Sequence, residues 1–190
     1  MSVSYEKEKK IFRLDTENST YLIGLTTEGY VGHIYYGDRL EGEVENYLLR
    51  IDEHPFTPSV VKREKSSFLD RFPTEYPTGG VGDFRESCLN VRNADGRRGC
   101  EIFYEGHEIY KGKKKLKGLP ATYTEAEDDA VTVEILLEDE LLSVQMVLSY
   151  TIYEDYDAIC RNVRFVNNGE QNLDLLRAMS MSVDLYDSDF

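Results

Sequence analysis

The strongest strand signal in this sequence is the stretch Val131-Thr132-Val133-Glu134-Ile135-Leu136-Leu137, in which every odd-numbered residue is aliphatic. A period of two places these side chains on one face of an extended chain, so the stretch predicts a strand that is buried on that face. After Glu138-Asp139-Glu140, the even-numbered residues from Leu142 to Ile152 are all apolar and predict a long partner strand. Each buried aliphatic side chain contributes about 1.5–3 kcal/mol of transfer free energy, so the two stripes are sufficient to hold a sheet.

Similar patterns extend on both sides of this pair. Ile159 to Val166 predicts a third strand that ends at the turn Asn167-Asn168-Gly169, and Leu173 to Leu185 predicts a fourth strand of the same antiparallel meander. In the first half, further strands are predicted at Ile11 to Leu14, Tyr21 to Leu25, Tyr30 to Tyr36 and Glu101 to Tyr110. Only Leu40 to Ile51 has apolar residues at helical spacing, and Gly42 interrupts that pattern. The sequence therefore predicts an all-β fold with two large antiparallel sheets.

Length and composition narrow the class of protein. A chain of 190 residues fits one domain, and its formal net charge of -14 argues against binding to nucleic acid, whose phosphates such a surface repels. The sequence contains no apolar run near the roughly 20 residues that span a bilayer, and its first residues do not form a signal peptide. Three scattered cysteines fit a reducing compartment better than a disulfide framework. These features predict a cytoplasmic protein that does not contact membranes.

The segment from Asp52 to Arg85, called the arm below, differs from the rest of the chain. It contains four of the five prolines and the glycine cluster Gly79-Gly80-Val81-Gly82. So long a segment with little predicted regular structure is uncommon inside a compact domain and usually has a binding or interface role. Its aromatic residues supply apolar anchors, which argues against disorder throughout the arm.

The glycine cluster and the histidines do not predict a nucleotide or metal site. A phosphate-binding loop needs Lys-Ser or Lys-Thr after its last glycine, whereas this cluster is followed by Asp83-Phe84-Arg85. The glycines are therefore interpreted as residues that allow an unusual backbone turn. None of the three histidines has the spacing of a metal ligand relative to another His, Cys or carboxylate pair, so no metal or other cofactor is predicted.

Four motifs together resemble one known family. They are Glu75-Tyr76-Pro77-Thr78-Gly79-Gly80-Val81-Gly82-Asp83-Phe84-Arg85, Ile109-Tyr110-Lys111-Gly112-Lys113, Gly118-Leu119-Pro120-Ala121-Thr122-Tyr123 and Arg177-Ala178-Met179-Ser180-Met181-Ser182-Val183-Asp184. In order and loop character they resemble the N-terminal domain of bacterial α-galactosidases of glycoside hydrolase family 36, from about Tyr5 to about Tyr186. The resemblance implies that residues 1–190 form a single N-terminal β-supersandwich domain. It also implies that the catalytic carboxylates lie on a barrel that follows this region, so no catalytic residue is expected within the chain.

The resemblance further implies how the domain contributes to a complete enzyme. That enzyme would hydrolyse terminal α-1,6-linked galactose from melibiose, raffinose and similar α-galactosides, with retention of configuration and without a metal or cofactor. A loop of this domain would reach the neighbouring barrel, where an aspartate hydrogen-bonds sugar hydroxyls; that aspartate matches Asp52, although a helix-terminal or turn role is the alternative. Asp83 and Arg85 would form an internal ion pair, or would contact the barrel or a neighbouring subunit. The domain would also help to form a homo-oligomer.

Two other interpretations remain open. The chain could be a free-standing galactoside-binding β-sandwich module, although it contains no tryptophan on which a sugar ring could stack. It could also be a purely structural domain that caps a barrel and mediates oligomerisation without any ligand contact. Only the first of these predicts affinity for galactosides in the 190-residue chain itself.

Overall fold

The computed structural model describes residues 2–49, 51, 68–80, 82–118, 121–126 and 129–183. Within these residues the chain forms ten strands: β1 (Val3–Glu6), β2 (Ile11–Asp15), β3 (Ser19–Leu25), β4 (Val31–Asp38), β5 (Leu89–Arg92), β6 (Phe103–Lys111), β7 (Val131–Asp139), β8 (Val144–Tyr153), β9 (Ala158–Asn167) and β10 (Asp174–Ala178). Short 3-10 turns form at Asn46–Leu48 and Glu154–Tyr156. In this described part of the chain, no helix has the length and hydropathy needed to cross a bilayer.

The strands form antiparallel sheets, as the alternating sequence pattern predicts. One four-stranded sheet has the order β1-β2-β3-β4 and another has the order β6-β7-β8-β9, while β5 pairs with β10 in a two-stranded ribbon. In the second meander Val133 lies opposite Tyr150, and Met146 lies opposite Phe165. This register keeps the apolar positions of neighbouring strands on the same face. The predicted all-β class with antiparallel sheets is confirmed.

The main core lies between the two four-stranded sheets. Phe12, Leu14 and Ile23 of the first sheet belong to the same buried cluster as Ile135 and Leu148 of the second. The ribbon also contributes, because Leu89 and Val91 of β5 are fully buried in this cluster. These contacts hold the two sheets face to face.

One predicted strand pairs differently from the expectation. For the fourth strand of the predicted meander, Leu173 to Leu185, the described residues up to 183 form a strand only at Asp174–Ala178, and this strand pairs with β5 rather than with β9. Leu175 lies opposite Val91, and the Asp174 carboxylate accepts a hydrogen bond from Arg92 Nη2 at 2.6 Å. The fourth strand of this sheet is instead β6, which pairs with β7. The alternation of residues identified the strands but contained no information about their partners.

The stretch from Leu40 to Ile51 forms only the single 3-10 turn in its described residues, so a helix there is ruled out. Val44 is buried with Ile11 and Leu22, and Leu40 packs against the same cluster. These apolar residues cover the outer face of the first sheet. Their spacing therefore reflects contact with the sheet rather than a helical stripe.

Candidate functional site: the base of the arm

The described residues on either side of residues 52–67 pack into one apolar cluster. Before this segment, Leu49 is buried and Ile51 packs beside it; after it, Phe68, Leu69 and Phe72 are buried in the same cluster. The Phe68 and Phe72 rings meet edge to face with their centroids 5.1 Å apart. We call this cluster the arm base. Described residues on both sides of 52–67 therefore pack into the same cluster.

Gly32 of β4 makes this close packing possible. A Cβ atom at this position would lie 2.5 Å from Cδ1 of Leu49 and 2.6 Å from Cζ of Phe72. Real carbon atoms do not approach so closely in a packed core. The absence of a side chain on Gly32 therefore lets the two sides of the arm base rest directly on the first sheet.

A buried carboxylate follows the arm base. The Glu75 side chain has no exposed surface and accepts hydrogen bonds from the hydroxyls of Tyr150, at 2.6 Å, and Tyr21, at 2.9 and 3.0 Å. Arg161 Nη1 donates to the same carboxylate at 2.8 Å, and its side chain is only 6% exposed. The Nδ1 atom of His33 lies 3.6 Å from Glu75 Oε2. Three elements thus converge on Glu75: β3 through Tyr21, β8 through Tyr150 and β9 through Arg161.

The surroundings of Glu75 indicate a structural role for its carboxylate and not a role as an acid–base catalyst. Burial, followed by the negative charge of Glu75, raises the pKa of Tyr21 and of Tyr150, so both hydroxyls stay protonated and act as donors. The positive charge of Arg161 opposes part of this effect. The guanidinium also lies over the Tyr150 ring, 4.9 Å from its centroid. With its oxygens already bonded inside the core, Glu75 has no access to a substrate.

The residues after Glu75 attach the arm to the ribbon. The Tyr76 hydroxyl donates to the Met179 carbonyl at 2.8 Å, and the Pro77 carbonyl accepts a hydrogen bond from the Cys88 amide at 2.8 Å. Thr78 Oγ1 donates to the Cys100 carbonyl at 2.5 Å. The motif beginning at Glu75 therefore contacts both the entry to β5 and the exit from β10.

The glycine cluster forms the predicted backbone turn. Gly80 and Gly82 have φ values of +94° and +93°, a region that residues with a side chain rarely adopt. A Cβ atom on Gly80 would also lie 2.7 Å from Cα of Gly99. The prediction that these glycines allow an unusual backbone turn is confirmed.

Asp83 and Arg85 form the internal ion pair that the sequence suggested. Arg85 Nε lies 2.9 Å from Asp83 Oδ1, and its Nη2 donates to the carbonyls of Leu69, at 3.3 Å, and Phe72. The pair therefore links the glycine turn to the arm base. The other suggested role, contact with a barrel or a neighbouring subunit, stays a prediction.

The sequence profile of the glycosyl hydrolase family 36 N-terminal domain matches residues 29–190. The chain belongs to this family. Alpha-galactosidase AgaA of Geobacillus stearothermophilus is 38% identical over 190 residues, which are 100% of this chain and 26% of that protein. The crystal structure of the family 36 α-galactosidase AgaB from the same organism superposes with a TM-score of 0.87 and 39% identity over 95% of this chain and 24% of that one.

A doubly substituted AgaA in complex with raffinose superposes with a TM-score of 0.84 and 37% identity, over 90% of this chain and 24% of that one. The chain thus spans about a quarter of the length of these relatives. The region in common is their family 36 N-terminal domain, and their catalytic domain lies outside it.

Asp52, the predicted substrate-binding residue of this family 36 domain, lies outside the described residues. So do His54 and the rest of residues 52–67. Ile51, the residue directly before Asp52, belongs to the arm base. The role of Asp52 in binding substrate stays a prediction.

The sequence interpretation assigned no role to the Glu75 and Arg161 pair. A signal was present, because Arg161 has the same parity in β9 as the inward residues Ile159 and Val163. An arginine at an inward position of a strand requires a buried acceptor. Its partner could not be identified from sequence, since Glu75 is 86 positions away.

No metal site emerges in the described part of this family 36 domain. Among the described residues, there is no group of three or more His, Cys, Asp or Glu side chains that could hold a metal ion. His33 faces Glu75, and His107 Nδ1 lies 2.7 Å from the Tyr104 hydroxyl. Both histidines thus have structural neighbours within the sandwich.

Proposed function

We propose that residues 1–190 are the single, non-catalytic N-terminal domain of a cytoplasmic α-galactosidase. The observation that carries this proposal is the match to α-galactosidases over the full length of the chain, in sequence and in structure. The arm base and the buried Glu75 cluster fix the described residues that flank residues 52–67 in the sequence. The domain would help to shape an active site that lies elsewhere in the complete enzyme.

In the complete enzyme the reaction is hydrolysis of terminal galactose from α-galactosides such as raffinose. Relatives whose structures were determined with raffinose and stachyose support this class of substrate. A retaining mechanism uses one carboxylate as the nucleophile and a second as the acid and base, about 5 Å apart. Both carboxylates would come from the catalytic domain, and neither a metal nor a cofactor takes part.

Asp52 would bind the sugar in that active site. A carboxylate accepts short, charge-assisted hydrogen bonds from hydroxyl groups, and neighbouring hydroxyls of a sugar suit its two oxygens. The packing of Ile51 into the arm base is consistent with the assignment, because it fixes the residue directly before Asp52 in the sequence. The complete enzyme would also assemble as a homo-oligomer in part through this domain, which light scattering tests directly.

The experiment is the Asp52→Ala substitution in the complete enzyme. Loss of a charge-assisted hydrogen bond costs about 1.5–3 kcal/mol, so galactose should bind about 10- to 150-fold more weakly. Glu53→Ala, which removes the adjacent carboxylate, is the matched control and should leave the binding constant unchanged. If the affinity and kinetics of Asp52→Ala are unaltered, Asp52 does not bind the substrate and its role is structural.

A free-standing galactoside-binding module is not favoured. The relatives that match the whole chain are α-galactosidases, in which it corresponds to one domain of a longer enzyme. Calorimetry of the 190-residue chain with raffinose distinguishes the two functions. The proposed domain gives no heat of binding, whereas a binding module does.

A further inference from the structure

One short segment contains an unusual share of the exposed apolar surface. Eleven large apolar side chains are exposed in the described residues. Four of them fall within seven consecutive positions, at Leu175, Leu176, Met179 and Met181, and each is about half exposed. A concentration of this kind on a soluble domain indicates an interaction surface, whereas scattered residues do not.

The main chain of this segment is held firmly in place. The Met179 carbonyl accepts the hydroxyl of the buried Tyr76 at 2.8 Å, and the Met179 amide donates to the Cys88 carbonyl at 2.9 Å. Arg177 Nη1 donates to the Ser87 carbonyl at 3.3 Å and also pairs with Glu86. Strand β10 and the Met179 main chain directly after it are therefore anchored to the residues around the start of β5.

The two strands of the ribbon differ sharply in burial. Leu89 and Val91 of β5 are fully buried, whereas four of the five residues of β10 are exposed. Residues 175–183 contain one charged side chain, Arg177, in a chain in which 31% of residues are charged. Two-stranded sheets are marginal on their own, and flexible methionine side chains adapt well to a partner surface. The composition of this segment therefore suits a buried interface.

We propose that the exposed side chains of Leu175 and Leu176 in β10, together with Met179 and Met181 just after it, form the docking face for the catalytic domain. This inference rests on the proposed function, because it requires the longer enzyme. In the relatives, about three quarters of the chain lies beyond the N-terminal domain that matches.

Methionine oxidation tests this proposal without any substitution. The complete enzyme is treated with hydrogen peroxide, and the sulfoxide at each methionine is followed by mass spectrometry. Met146 of β8 is fully buried and supplies an internal reference, while free methionine supplies the rate of an exposed side chain. The proposal expects Met179 and Met181 to oxidise at least about tenfold more slowly than free methionine, because a covering domain excludes the oxidant. Oxidation of both at the rate of free methionine, with Met146 protected, would overturn it.

Two variants of the complete enzyme identify the covering partner. Leu176→Asp should loosen the docked face and raise the oxidation rate of Met179 by about tenfold, since it buries an unpaired charge. Leu141→Asp is the control, because Leu141 lies in the turn between β7 and β8 and is almost fully exposed. Equal rates at Met179 in both variants would contradict the docking face.

A second copy of this chain is the competing occupant. If protection of Met179 disappears when the enzyme is diluted to the monomer, as measured by light scattering, the covering surface belongs to another subunit and the proposal fails. The result is independent of the proposed function, which fails instead if the complete enzyme does not hydrolyse α-galactosides. Protection that persists in a monomer supports docking within one chain.

Discussion

At the scale of single residues, the buried pair of Glu75 and Arg161 joins the described part of the arm to strand β9. Two charges removed from water are tolerated only when each is paired and hydrogen-bonded. Here the carboxylate receives Arg161, Tyr21 and Tyr150 at once, and these donors come from both large sheets. The pair therefore fixes the start of the family motif in a single position between the sheets.

Arg161→Met should lower the free energy of unfolding by about 3–5 kcal/mol, because it leaves Glu75 charged and unpaired inside the core. The double variant Glu75→Gln with Arg161→Met should cost less than the sum of the two single changes, since it leaves no buried charge. Urea denaturation measures each value. Arg92→Met, which removes an exposed ion pair with Asp174, is the control and should cost about 0–1 kcal/mol. A cost below about 1 kcal/mol for Arg161→Met would contradict the assignment.

Alanine substitutions at two glycines distinguish the cost of a positive φ from the cost of a steric clash. Gly42 and Gly80 both have positive φ, but a Cβ atom on Gly42 meets no atom within 4 Å, whereas one on Gly80 meets the backbone of Gly99. Gly42→Ala should therefore cost about 1–2 kcal/mol from φ alone. Gly80→Ala should cost about 1–3 kcal/mol more, because the backbone of Gly99 must move. Equal costs in thermal or urea unfolding would show that the turn relaxes freely around residue 80.

At the scale of elements, the contact between β6 and the first sheet introduces a dependence on pH. His107 of β6 packs edge to face against Tyr5 of β1 and Phe12 of β2, with ring centroids 4.5 and 5.0 Å away. Burial lowers the pKa of His107 below its usual value of 6.5, so the folded domain holds it neutral. The unfolded chain then binds the proton more readily than the folded one as the pH falls.

Acidification should consequently destabilise the domain through His107. Its contribution is fully present above the unfolded pKa of about 6.5 and decreases as the pH falls towards the lower folded pKa. His107→Phe retains a ring between Tyr5 and Phe12 but cannot titrate. Unfolding free energies measured at about pH 7.5 and about pH 5.5 should fall less in this variant than in the parent chain. The same decrease in both would rule out His107 as a source of the dependence.

The elements also show which parts of the fold the sequence could predict. Strands β7 and β8 contain nine and ten residues with dense alternation, and they were predicted almost to their ends. Strands β1 and β5 contain four residues each, which is too short for a period of two to stand out, and they were missed. The pairing of β10 with β5 joins residues more than 80 positions apart, and no local pattern encodes that choice.

At the scale of the whole molecule, the chain corresponds to the N-terminal domain of its α-galactosidase relatives and does not include their catalytic domain. The 190-residue chain should show no hydrolysis of p-nitrophenyl α-galactoside, because both catalytic carboxylates are assigned to the catalytic domain. The complete enzyme, assayed under the same conditions, is the positive control. Turnover of the substrate by the chain alone would disprove the assignment.

Some features of the candidate site could be predicted from the sequence, and others were visible only in the folded structure. The sequence determined the all-β class, the turn at the glycine cluster and the family, because alternation, glycine chemistry and linear motifs are local properties. Only the tertiary structure decided that Glu75 meets Arg161 and that residues on both sides of 52–67 share one apolar cluster. It also decided that β10 joins the ribbon and leaves four apolar side chains exposed. These are contacts between distant parts of the chain, and their free energy depends on burial and geometry that exist only once the sheets have packed.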